Sequence, residues 1–142
     1  MEKDLNNLLG LIKNSNIKQL SKDSGVPAQT IRRIIKGESS PCFDTLDKML
    51  STSKDAMLWQ EYHTFKKNAL ELQKNINFYI KKNKITQKDI VAKMGLNESR
   101  GKLWNVATIR RVLGDFTTTK VSTLYKVIDA VKAIHEERER SE

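Results

Sequence analysis

The 142-residue chain is poor in the residues on which many function classes depend. A single cysteine, Cys42, excludes an intramolecular disulfide framework, and two separated histidines, His63 and His135, offer no zinc-like cluster. Six scattered glycines form no phosphate-binding loop. No apolar run approaches the roughly 20 residues that span a bilayer, so no membrane association is expected. The opening MEKDLNNLLG is acidic and has no leader-like apolar stretch, so a cytoplasmic protein is expected. No paired carboxylates or nucleophile–base set stand out, and neither an enzyme nor a cofactor is expected.

What is abundant is positive charge, and it is unevenly placed. The formal net charge is +9, of which residues 81–134 carry +8, while residues 135–142 are net negative. Such a concentration fits a polyphosphate partner, although a solvated surface would look the same. The tail HEERERSE has no apolar anchor and is expected to fray or to extend a helix into solvent.

The chain also repeats itself. Thr30-Ile31-Arg32-Arg33 returns 78 positions later as Thr108-Ile109-Arg110-Arg111, and the same offset carries Leu46 to Leu124 and Leu50 to Ile128. Upstream the offset is 70, taking Asn16 to Thr86, Leu20 to Ile90 and Gly25 to Gly95. One unit, copied with an eight-residue insertion around residues 97–105, explains both offsets.

Each copy reads as helical. In the first, Leu5, Leu8, Leu9 and Ile12 recur at helical spacing, and Asn16 with Gln19 resembles a capping box opening a short second helix. Gly25 suits a tight turn; Ile31, Ile34 and Ile35 form the buried stripe of a third helix that ends at Lys36-Gly37. Phe43, Leu46 and Leu50 supply a fourth, after Pro41. In the second copy Ile76, Phe78, Tyr79 and Ile80 open the unit, and Thr86 with Asp89 caps the next helix. Gly95 then turns, Ile109, Val112 and Leu113 bury a third helix, and Val121, Leu124, Val127, Ile128 and Val131 build the last. Nothing alternates with period two, so the fold class expected is all-α. The divisions expected are an N-terminal domain at 1–54, a helical connector at 55–73, a C-terminal domain at 74–134 and a charged tail at 135–142.

Two short helices joined by a glycine turn inside a small helical core form a helix-turn-helix. IKQLSKDSGVPAQTIRRIIKGESSPCFDTLDKML resembles the helix-turn-helix of the XRE, or lambda-repressor-like, family. ITQKDIVAKMG with ATIRRVLG and KVSTLYKVIDAV is similar to it as well, so the resemblance implies two tandem units joined by a long helix. Where the family carries alanine after the second-helix leucine, Ser21 and Val91 stand instead.

The resemblance implies a double-stranded DNA partner, with the third helix in the major groove. Its base-reading face would be Ala28, Gln29, Thr30, Arg32 and Arg33 in the first copy, and Thr108, Arg110 and Arg111 in the second. Lys18, Lys22, Lys36, Lys88, Lys93, Arg100, Lys102 and Lys120 would meet phosphates. It further implies a transcriptional repressor acting by promoter occlusion, of the kind found in phages and other mobile elements, that binds as a homodimer. The alternative is a bifunctional protein, an antitoxin or inhibitor, whose second unit holds a protein partner. Leu58, Tyr62, Phe65, Ala69, Leu72, Ile76 and Tyr79 form a heptad-like seam, readable as a dimerisation helix or as the closing and opening helices of the two cores. Trp104 is expected in the second core, His63 at a partly exposed position and Cys42 as a small packing residue.

Overall fold

A computed structural model describes residues 2–97 and 101–141. The protein is mostly helical, with eight helices and one two-stranded sheet among these residues. The helices are α1 (Glu2–Lys13), α2 (Ile17–Ser24), α3 (Ala28–Ile35), α4 (Phe43–Ser51), α5 (Ala56–Lys82), α6 (Gln87–Met94), α7 (Val106–Leu113) and α8 (Val121–Arg140). Between α6 and α7, β1 (Leu96–Asn97) and β2 (Lys102–Leu103) pair antiparallel, Leu96 opposite Leu103. This hairpin departs from a wholly α reading. All of it but Leu96 lies in the insertion, where Gly101 at φ 66° supports the reversal and two-residue strands are too short to show an alternating pattern.

The helix bounds repeat at the two offsets seen in the sequence. α2 and α6 begin 70 positions apart, and α3 and α7, like α4 and α8, begin 78 apart. The buried positions keep register: Leu20 with Ile90, Ile31 with Ile109, Ile34 with Val112, Leu46 with Leu124, and Leu50 with Ile128.

The chain divides into two compact units, Met1–Ala69 and Leu70–Glu142, so the boundary falls inside α5. Side chains of α5 are buried in both units. In the first unit α1 packs on α3, and α2 packs on α3 and α4. Leu8, Ile12, Leu20, Ile31, Ile34, Phe43, Leu46, Met49 and Leu50 are buried, and α5 adds Leu58, Tyr62, Phe65 and Ala69. Each fully buried aliphatic side chain contributes about 1.5–3 kcal/mol of transfer free energy. Phe43 and Phe65 stack with ring centroids 6.1 Å apart. Tyr62 donates its hydroxyl proton to Asp47, whose two carboxylate oxygens also lie 3.1 and 3.2 Å from the Lys66 ammonium.

In the second unit α6 packs on α7 and α8, and α7 on α8. Ile76, Ile85, Ile90, Ile109, Val112, Phe116, Leu124, Val127, Ile128, Val131 and Ile134 are buried. Thus five of the seven seam residues, Leu58, Tyr62, Phe65, Ala69 and Ile76, are buried inside the units. Phe78, expected to help open the second unit, is instead 70% exposed, because α5 turns its Ile76 side inward. The tail is fastened as well: α8 runs to Arg140, His135 hydrogen-bonds Tyr79, Glu137 pairs with Lys93, and Arg138 approaches Asp89 at 3.6 Å.

α7 ends without a left-handed glycine, since Gly114 sits at φ −103°. Its last carbonyls are satisfied from α5. The buried Gln73 amide donates to Val112 O (2.8 Å) and Gly114 O (2.6 Å), and Asn77 donates to Leu113 O (2.8 Å). Replacing Gln73 by Leu strands these carbonyls; a loss of about 1–3 kcal/mol in urea unfolding is expected.

Burial first, then the hydrogen bond to Asp47 and its charge, push the Tyr62 hydroxyl well above the ordinary phenol range. A folded-state value above the unfolded one gives stability that is full below about pH 10 and is lost as pH rises further. Urea midpoints of the wild type should therefore fall above pH 10 more steeply than those of Tyr62→Phe. Parallel curves would sink the assignment.

Candidate nucleic-acid interface

The local chemistry of the first unit fixes how α3 is presented. Asn16 caps α2 by accepting from the Gln19 N–H at 3.1 Å. Its box is only half made, because the Gln19 side chain turns to Asp23 at 2.8 Å. Gly25 ends α2 at φ 77°, a left-handed conformation that a β-carbon would strain. Ser21 donates to Val26 O at 2.7 Å, and Ser24 Oγ accepts from the Val26 N–H at 3.1 Å. Three residues, Gly25–Pro27, thus join α2 to α3 by a pinned turn.

With Ile31 and Ile34 buried, α3 turns Gln29, Arg32 and Arg33 outward. At roughly 100° per residue they share one sector of the helix with Lys36, which keeps α-helical angles just beyond Ile35. Ala28 and Thr30 are half-buried at the sector's margins. α3 contains no acidic residue, and neither Arg32 nor Arg33 has an ion-pair partner among the described residues. Lys18 and Lys22 are exposed on α2.

The second unit presents α7 differently. Thr86 and Asp89 form a complete capping box on α6. Gly95 has φ 74° with ψ −140°, not the angles of Gly25, and leads into the hairpin. Eleven residues, 95–105, separate α6 from α7 in place of three. Asn105 caps α7 by accepting from the Ala107 N–H at 2.8 Å. Arg110 and Arg111 are exposed and Thr108 is half-buried, with Ala107 exposed between the arginines' faces. Lys88, Lys102 and Lys120 are exposed, whereas Lys93 is held by Glu137. Arg100 lies outside the described residues.

Trp104 is not a core residue. It is half-buried, with the Lys126 ammonium 5.4 Å from its ring centroid, and walls an open groove of about 440 Å³ with Met94, Leu96 and Ala130. Beside it the cross-strand pair Leu96 and Leu103 is 64% and 59% exposed. His63 is exposed and packs on Trp59 at 4.0 Å; Cys42 is half-buried before α4. Among the described residues no cluster suits a metal ion, and no helix is long and apolar enough to cross a membrane.

Comparison with known protein families, curated proteins and solved structures returned no match.

The Asp89 carboxyl is held below the usual carboxylate range, first by the Thr86 backbone N–H, then by the Thr86 side chain, with Arg138 adding a smaller attraction. A lowered folded-state value gives stability that is full above about pH 4 and lost as pH falls through that lower value. Asp89→Asn should flatten the acid limb of the unfolding midpoint plotted from pH 6 to pH 2.5. An unchanged limb would show that the cap does not govern acid sensitivity.

Proposed function

We propose that this chain is a sequence-specific double-stranded DNA-binding transcriptional regulator, a repressor that occludes its promoter. It is built from two helix-turn-helix units of the XRE, lambda-repressor-like kind. The observation that carries the reading is the outward sector of α3: an amide, two guanidiniums and an ammonium, none neutralised by a carboxylate among the described residues. Gln suits adenine N6 and N7, and a cationic side chain suits guanine O6 and N7 or a phosphate oxygen. The pinned three-residue turn supports it, because base reading needs a helix that is held rigidly. Exposed Lys18, Lys22, Lys88 and Lys120 add counter-ion release on phosphate binding. A homodimer on a two-fold operator is part of the same reading, as is a cytoplasmic location.

One observation favours a second reading, in which the second unit holds a protein. The groove at Trp104 and the exposed Leu96–Leu103 pair form an apolar surface on the unit whose outward helix carries fewer polar groups.

The test is binding to the DNA upstream of its own gene against random duplex, across a salt series. Selective binding is expected, with Arg33→Ala losing about 1–3 kcal/mol. Lys22→Ala should lower the log–log salt slope by about 1, while Lys93→Ala, already neutralised by Glu137, should leave it unchanged. Equal affinity for both DNAs at every salt would remove the reading.

A further inference from the structure

The two outward helices differ at the middle of their faces. On α3, Gln29 and Lys36 lie about 20° apart along the sector's centre, and Arg32 and Arg33 flank them about 100° from one another. A helix about 10–12 Å across fills a major groove about 12 Å wide. Residues at the centre of its inward face then meet base edges. Flanking residues separated by so wide an angle are directed at the groove's opposite walls, where the phosphates are. On α7 the flanks are kept as Arg110 and Arg111, but the centre is Ala107 and Gly114.

Position 114 carries no side chain and is tight for one. A β-carbon there would come within 3.2 Å of Arg110 O, and the residue's own carbonyl takes the 2.6 Å bond from buried Gln73. Position 107 holds only a methyl group, which can meet a thymine methyl but has no hydrogen bond to offer.

Resting on the DNA-binding reading, we propose a division of labour. α3 selects sequence through Gln29 and Lys36, and α7 is a clamp without base selectivity, its arginines gripping the two phosphate backbones. The arginines of α3 do the same beside the reading pair. Charge alone is then required at all four arginine positions, whereas hydrogen-bonding shape is required at position 29.

The experiment uses the full-length chain and a random-sequence duplex library. Sites are selected, and dissociation constants are measured for the selected duplex and its single-base variants. Thermal melts confirm that each exposed-residue variant stays folded. Gln29→Ala should reduce discrimination at one base pair about tenfold or more. Arg33→Lys, Arg110→Lys and Arg111→Lys should change discrimination less than about twofold, since a lysine replaces the charge on a phosphate but not the planar fork with which an arginine grips guanine. Arg110→Ala with Arg111→Ala should weaken binding to every sequence alike. A selected base pair whose preference collapses in Arg110→Lys or Arg111→Lys would overturn the clamp and leave the DNA-binding reading standing. Discrimination unchanged by Gln29→Ala but lost in Arg33→Lys would overturn the assignment on α3. A library that yields no preferred sequence would instead defeat the parent reading.

Discussion

An eight-residue helix has no stability of its own in water, since its nucleation cost is spread over a single further turn. α2, α3, α6 and α7 are all of this length, so each exists only because one side is buried and its ends are satisfied. That dependence orders the rest of the structure. The stripe Ile31–Ile34 must face the core for α3 to form at all, and once it does, Gln29, Arg32, Arg33 and Lys36 have nowhere to point but outward. The exposed chemistry is the complement of a packing requirement.

The end groups show the same constraint met by different means. α3 stops by a backbone device: the Gly37 N–H reaches Ile34 O and the Glu38 N–H reaches Arg33 O, with Gly37 at φ 77°. α7 has no such glycine geometry, and two side-chain amides from α5 take over its carbonyls. The substitution has a cost in surface chemistry, because the position that carries an ammonium in the first copy becomes a glycine in the second. The two units share core register while their caps, and with them their outward faces, differ.

The charge pattern is best understood at this level. Part of the basic excess between 81 and 134 is engaged within the unit itself. Lys93 is paired with Glu137 and Lys126 lies over Trp104, while Lys88, Lys102, Arg110, Arg111 and Lys120 stay exposed. The acidic tail that looks like an unattached solubilising end supplies Glu137 and, through Arg138, a partner for Asp89.

Helical class, the repeat, its two offsets and most core residues are legible in the sequence, because each follows from a local rule: apolar spacing of three and four, glycine after a capped helix, identical letters in register. Ile31, Ile34, Leu46 and their counterparts are buried as that spacing requires. What spacing cannot rank is which of two overlapping stripes a long helix buries. The seam on α5 reads as a dimer interface or, somewhat better, as core, and packing against α4 in the first unit and α7 in the second buries most of it. For the same reason Gln73 and Asn77, polar letters beside an apolar seam, are invisible until a helix end is brought to them. The hairpin at Leu96–Leu103 and the half-buried place of Trp104 likewise depend on neighbours distant in the chain. Local periodicity therefore determined which faces are apolar and where helices begin and end. Tertiary contact decided which polar groups are spent on the protein's own backbone and which are left exposed, since that depends on atoms the sequence separates by tens of residues.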